Sequence, residues 1–383
     1  MPWEETTRTM LRAQFVEEFE SCLYTLTELC ARYGISRKTG YKWIERFAAE
    51  GVEGLADRSR RPKSSPHQTE EDLEAALVEV RRTHPTWGPR KLLAWSQKRS
   101  PEVSWPSAST VGAILKRHGL VEPRRRARRR WVHPGQPTAH AEGPNEVWTT
   151  DFKGQFRTGD GRLCYPLTVA DVHSRYLLGV RGLDSVAEEQ AWPEFVRLFQ
   201  DYGLPQVIRS DNGSPFASVS VGGLSRLSVR WIKLGIRQER IAPGHPEQNG
   251  KHERMHRTLK AETARPPAAD RVAQQESFDQ FRRLYNEERP HEAIGQRTPS
   301  ELYSRSPRPY PKRLPEPEYP GHFEVRRVRS GGEIHWRGKY LFISESLQGE
   351  RIGLEEYEDD RWAVYFGDVL LARFEEPERR LFG

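Results

Sequence analysis

Val147-Trp148-Thr149-Thr150-Asp151 reads as a strand that ends on an acid, and Val207-Ile208-Arg209-Ser210-Asp211 has the same form. Asn212-Gly213, a turn pair, follows the second. In open sheets, ligands and catalytic groups collect at the carboxyl ends of strands, where the backbone opens into a crevice. Around these stretches, Glu146 to Phe152, Tyr165 to Val172 and Arg175 to Gly182 are rich in strand-favouring residues. Glu188 to Tyr202 places Trp192, Phe195, Val196 and Phe199 along one side of a helix. Gln206 to Ser210 is a short strand, and residues 247–262 and 276–288 read as helices. Strands grouped first and then alternating with helices predict a mixed sheet covered by helices, inside a multidomain α/β chain.

Two acids in one crevice repel at neutral pH and raise each other's pKa unless cations separate them. Oxygen ligands and water suit Mg²⁺. A third acid comes from Pro243-Gly244-His245-Pro246-Glu247-Gln248-Asn249-Gly250, a loop that leads into the helix Lys251 to Lys260. Two glutamates compete there. On a regular helix Glu247 and Glu253 would lie about 120° apart around the axis, so both cannot face one ion. His256, Arg257 and Lys260 share the face of Glu253, while Met255 and Leu259 supply a packing side. Asp171, ahead of His173-Ser174-Arg175, precedes a hairpin turn and reads as a structural residue or as one that supports the site from behind.

Upstream the pattern is helical. Thr25-x-x-Glu28 is a capping box, Gly34 makes a turn, and Ser36 is placed to cap a helix with Trp43, Ile44 and Phe47 on one stripe. That helix carries Arg37, Lys38, Lys42 and Arg46 elsewhere on its surface. Helix, tight turn and basic second helix is the sequence form of a helix-turn-helix. A second helical unit over 69–121 ends in a helix started by Pro106 and Ser107, with Lys116 and Arg117 outward and Gly119 as terminator. Arg124, Arg125, Arg126, Arg128, Arg129 and Arg130 follow within seven positions, a cationic block suited to a polyanion. Near the other end, six prolines between 307 and 320 predict a stiff linker. Residues 322–383 alternate apolar and polar between turns such as Ser330-Gly331-Gly332, which predicts five or six strands in a small β-barrel.

The chain has 383 residues and a net charge of +7. Cys22, Cys30 and Cys164 form neither a disulfide framework nor a Cys-x-x-Cys zinc site. The polar start of the sequence and the lack of a long apolar run predict a soluble, cytoplasmic protein without membrane contact. The expected domains are a helix-turn-helix over 1–62 and a second helical DNA-binding unit over 63–121. An Arg-rich linker over 122–137 leads to a catalytic core over 138–305, a Pro-rich linker over 306–321 and a barrel over 322–383.

Four motifs resemble the DDE transposases and retroviral integrases, whose core is ribonuclease-H-like. They are Trp148-Thr149-Thr150-Asp151, Ser210-Asp211-Asn212-Gly213-Ser214-Pro215-Phe216, Pro243-x-x-Pro246-x-x-x-Gly250-x-x-Glu253-Arg254, and Tyr285-Asn286-Glu287-Glu288-Arg289-Pro290-His291 with Thr298-Pro299. The spacing common in that family lands on Glu247, six residues before Glu253. The motif itself aligns on Glu253 without a gap, and the extra length is placed in a loop over 217–235. The resemblance implies a bacterial insertion-sequence transposase that cleaves and joins DNA with two Mg²⁺ or Mn²⁺ ions held by Asp151, Asp211 and Glu253. It further implies Lys260 on DNA, and Asn212, His245 and Asn249 beside the site. The helix-turn-helix units would read terminal inverted repeats of double-stranded DNA, the arginine block would follow phosphates, and the chain would act on target DNA as a homo-oligomer. A DNA-binding regulator with an inactive core and a plain nuclease of the same fold are the rival readings.

Overall fold

The computed structural model describes residues 8–58, 68–121, 140–218, 221–241, 250–376 and 381. The arginine block at 124–130, His245, Glu247 and Asn249 lie outside them. Two compact units emerge, Met1–Gln68 and Thr69–Gly383.

The first unit packs α1 (Arg8–Glu20), α2 (Leu26–Arg32) and α3 (Arg37–Glu50) around Phe15, Val16, Leu29, Cys30, Trp43 and Leu55. Thr25 and Glu28 form the expected capping box, and the Ser36 hydroxyl accepts from the Thr39 amide. Gly34 sits at φ +63° in the turn between α2 and α3. Gly40 is fixed for a different reason, since a Cβ there would meet the Cys30 sulfur at 2.6 Å. The helices can therefore cross only with glycine at this point.

The second unit begins with α4 (Glu71–Thr83), α5 (Pro89–Arg99) and α6 (Ala108–Arg117), closed over Leu77, Trp87, Leu92, Val111, Ile114 and Leu115. Ser107 caps α6 through the Thr110 amide, and Gly119 follows the helix at φ +69°. Arg117 does not stand free as expected. It pairs with Glu74 at 2.8 Å, beside a His118–Glu74 contact at 2.6 Å.

The core sheet comprises β1 (Val147–Phe152), β2 (Phe156–Arg157), β3 (Leu163–Asp171), β4 (Leu177–Leu183), β5 (Val207–Ser210) and β6 (Arg237–Arg240). Between them run α7 (Glu188–Tyr202) after β4 and α8 (Arg226–Lys233) before β6. The order is β2-β3-β1-β5-β6, with β4 also on β3. Pairs β1/β3 and β3/β4 are antiparallel, whereas β1/β5 and β5/β6 are parallel. The mixed sheet is thus as expected. One face packs on α7 and α8 through Trp148, Phe195, Phe199 and Trp231, and α9 (Gly250–Thr263) and α10 (Arg271–Glu287) cover Leu177, Val180 and Cys164.

Residues 217–235 are not a surface loop. Leu227 and Trp231 of α8 enter the core cluster, while Val229 and Leu224 join the C-terminal one. Burying side chains on both sides makes this stretch a wedge between two cores.

The C-terminal strands are β7 (Glu324–Arg327), β8 (Glu333–Trp336), β9 (Lys339–Phe342), β10 (Arg351–Glu358), β11 (Arg361–Phe366) and β12 (Val369–Glu375). Six strands fit the expectation; a closed barrel does not. They form an open sheet, β12-β11-β10-β7, and a separate β8-β9 hairpin. The hairpin lays Trp336 against Trp362 and Phe374, at centroid separations of 4.7 and 6.0 Å, so it packs by side chains where a barrel would need ladder hydrogen bonds. The proline-rich segment is pinned to the core: Arg308 donates to the carbonyls of Pro205, Leu234 and Gly235. No helix of the described residues is long and apolar enough to cross a membrane.

Candidate active site

Register brings the first two acids together. Val147, Trp148 and Thr149 pair with Val207, Ile208 and Arg209 across the parallel β1/β5 ladder. The same offset carries Asp151 to Asp211, and neighbouring strands lie about 4.8 Å apart. Both carboxylates therefore rise from adjacent strand ends. Asp211 is held in turn by the Gly213 amide, which donates to its Oδ1 at 3.1 Å. A Cβ on Gly213 would sit 3.1 Å from Asp211 Oδ2, so this turn has no room for a larger residue without displacing the acid.

Glu253 comes from the first turn of α9 and is exposed. Its charge reaches Asp151. Burial raises the Asp151 carboxyl most, Asp211 raises it further and Glu253 adds to this, so it is pushed up to about 7. Burial and like charge here outweigh the Phe152 amide and Lys153, which act in the opposite direction. Among the described residues, no group of three His, Cys, Asp or Glu side chains is arranged to hold a single metal ion.

Beneath these acids lies a polar layer that the sequence reading missed. His252 and His256, one turn apart on α9, are 3% and 4% exposed. The Thr168 hydroxyl of β3 lies 2.6 Å from His252 Nε2 and 2.7 Å from His256 Nε2, and donates to the Asp151 carbonyl at 2.9 Å. Thr149 Oγ1 lies 2.9 Å from His252 Nδ1. His256 Nδ1 stands 3.7 Å from Asp151 Oδ2. Burial keeps both rings neutral, with His252 pushed down to about 3 and His256 lowered further by His252 and Lys153. The His256–Asp151 approach is therefore not an ion pair.

This corrects the grouping of His256 with the cations. Three residues past Glu253 it lies about 60° around the axis, toward Met255 and Leu259. The hydroxyl of Thr168 then makes burial tolerable. The signal was present as His-x-x-x-His on a helix with an apolar side. Arg257 and Lys260 do remain exposed. Lys260 lines a cleft of about 150 Å³ with Lys153, Phe156 and Phe278.

Other expected residues fall nearby. Asn212 bridges to the end of β6, its amide donating to the Ile241 carbonyl at 2.8 Å. Asp171 is structural, as read. It is 1% exposed and accepts from the amides of Asn145 and Ser174, each at 2.7 Å, and from the Ser174 hydroxyl at 2.6 Å. In the first unit Arg37, Lys38 and Lys42 are exposed on α3 and Arg46 is half-buried, with Lys42 and Arg46 against the Trp43 ring at 4.0 and 5.2 Å.

Two integrase core domain models match this chain, over residues 141–246 and 234–299. A helix-turn-helix domain model matches 11–63, and a homeodomain-like domain model matches 39–115. A 39.2 kDa protein of insertion element IS476 from Xanthomonas euvesicatoria is 26% identical over 284 residues, covering 73% of this chain and 78% of its own. A 31.7 kDa protein of insertion element IS407 from Burkholderia multivorans is 26% identical over 247 residues, or 63% and 84% of the two chains. Among solved structures, a chain of the simian T-cell lymphotropic virus intasome is 17% identical over 77% of this chain and 97% of that one. Its TM-score of 0.39 is too low to bear on the fold.

Proposed function

We propose, from the premise that this chain is a DNA transposase of the insertion elements with an integrase core, that Asp151, Asp211 and Glu253 are its catalytic carboxylates. The observation that supports this is the parallel β1/β5 register, whose offset carries Asp151 to Asp211, with the charges of Asp211 and of Glu253 from α9 both acting on Asp151. The donor set suits divalent cations, since three carboxylates offer hard oxygen ligands. Asp151 and Asp211 would hold one ion, and Asp151 and Glu253 a second. This fits side chains that do not surround one point. Bound Mg²⁺, or Mn²⁺, would activate a water or 3′-hydroxyl and neutralise the phosphodiester under attack.

The chain's own residues supply position. β1 and β5 fix two acids, and the histidine–threonine layer seats α9 and so fixes the third. Lys260 contacts DNA from the exposed side of the same helix. Asn212 braces the loop that bears Asp211, and His245 and Asn249 are assigned to the margin of the site. The division of labour follows the expected domains: 1–62 and 63–121 recognise terminal inverted repeats and 122–137 tracks phosphates with its arginines. Residues 138–305 react, and 322–383 follow the linker as an accessory sheet unit. Arg37, Lys38, Lys42 and Arg46 carry recognition on α3. Catalysis proceeds on paired ends held by a homo-oligomer. A regulator with a dead core would have no use for an acid pair kept in register at strand ends.

Asp151→Asn, Asp211→Asn and Glu253→Gln are each expected to abolish Mg²⁺-dependent cleavage and joining of element-end DNA while leaving DNA binding intact. Glu247→Gln is expected to keep much activity. Full activity in any of the first three removes that residue from the site, and complete loss in the fourth transfers the role of Glu253 to Glu247.

A further inference from the structure

A second cluster of charge lies beside the carboxylates and has no part in the proposal above. A small hollow is lined by Thr149, Asp171, Arg175, Arg209, Lys251 and Tyr285, among others. Cations dominate its rim. Arg209 is tied to Glu239 at 2.9 Å. Arg175, Lys251 and Arg254 make no ion pair among the described residues, and the Arg175 Nε is buried with no hydrogen-bond partner. The acid in the lining is Asp171, whose two oxygens already accept from Asn145 and Ser174.

These charges work against one another. Burial lowers the pKa of Arg175, and Arg254 lowers it further. Lys251 and Arg254 also stand at the start of α9, where the helix dipole favours anions and disfavours cations. Arg175 holds a left-handed φ of +67° in the β3–β4 turn, a conformation that arginine seldom adopts. Packing gives no account of three unpaired cations gathered at these positions. An anion would satisfy them all.

We propose that Arg175, Lys251 and Arg254 form a cradle for one phosphate of a DNA backbone, next to but separate from the carboxylate site. A phosphodiester fits the donor set: a planar guanidinium with a free Nε–H, a second guanidinium and an ammonium, while Asp171 is already engaged by three donors. The inference rests on the nucleic-acid substrate proposed above.

The test uses the full chain and a fluorescein-labelled duplex, with affinity measured by anisotropy across a salt series. The variant Lys251→Gln/Arg254→Gln alters two exposed side chains and leaves the half-buried Arg175 in place. Losing one phosphate contact is expected to reduce the slope of log affinity against log salt by about 0.9, equally for any sequence. Lys38→Gln on α3 serves as the positive control. An unchanged slope in the double variant, with a reduced one in the control, overturns the cradle alone. Failure of the unaltered protein to bind the duplex at all overturns the nucleic-acid reading. Inorganic phosphate is the second arm: at matched ionic strength, phosphate that competes with DNA more strongly on the unaltered protein than on the variant supports a DNA phosphate in the cradle, whereas phosphate that binds the unaltered protein without displacing DNA marks a free-anion site and overturns the assignment.

Discussion

Replacing Thr168 with valine removes one hydroxyl from the layer beneath the carboxylates and changes little else in volume. A hydroxyl has a single proton, and Thr168 gives it to the Asp151 carbonyl at 2.9 Å. Both histidines must then donate from Nε2, at 2.6 and 2.7 Å, into the Thr168 lone pairs. His252 is left to accept at Nδ1 from the Thr149 hydroxyl, 2.9 Å away. Valine strands two ring N–H groups in residues only 3% and 4% exposed. Each unsatisfied buried donor costs about 1–3 kcal/mol, so the core should lose about 2–6 kcal/mol. That is a large share of the roughly 5–15 kcal/mol that holds a domain together. Serine keeps the hydroxyl and forfeits one methyl, for about 1 kcal/mol. Urea unfolding of the two variants, followed by tryptophan fluorescence, separates these outcomes. The Mg²⁺ concentration for half-maximal cleavage should also rise in the valine variant and return toward normal in the serine one, because α9 sets Glu253 against Asp151. Equal stability of valine and serine variants would refute the proton assignment.

Further outcomes follow from the acids. Asp151 has its carboxyl pushed up from 3.8 to about 7 in the metal-free protein. Between those values the folded state binds more protons than the unfolded one, so stability falls as pH rises through this window. Asp151→Asn should flatten that slope in pH-dependent unfolding, and an unaltered slope would place the strain elsewhere. Asp211→Asn removes one repelling charge, so the Asp151 titration followed by carboxyl NMR should move downward; an upward move would contradict the shared crevice. Asp171→Asn keeps one acceptor but turns an amide N–H₂ toward a donor, at a cost of about 1–3 kcal/mol in thermal unfolding. A neutral substitution there would show that the buried Asp171 is already protonated and donating.

Much of this architecture is written in local pattern. The strand-favouring residues of β1 and β3, the stripe on α7 and the Thr25–Glu28 cap all report on burial or on hydrogen bonds a few residues away. What escaped reading depends on distant partners. β6 is Arg237-Gln238-Glu239-Arg240, four polar residues with no alternation, and it is a strand only because β5 offers it a parallel edge. α8 follows Gly222-Gly223 and several serines, which suggest a loop; its apolar residues face two different cores, so no single stripe stands out. The C-terminal alternation was legible as strands, but closure depends on which edges meet, and alternation says nothing of edges. In the site, the two aspartates could be read from strand ends. His256 was misplaced because its partner, Thr168, lies 88 residues away.

The helix that carries Glu253 also touches the helical unit upstream of the core. Glu262, in its last turn, receives the Thr86 hydroxyl at 2.5 Å and the Arg289 guanidinium at 3.0 Å. Lys98 and Arg99 of α5 reach Glu301 and Glu288 on the same side of the core. α9 is thus a beam of fourteen residues, with the acid proposed to hold metal near one end and a clamp from the 69–121 unit at the other, so a displacement of that unit would be carried along rigid backbone toward Glu253.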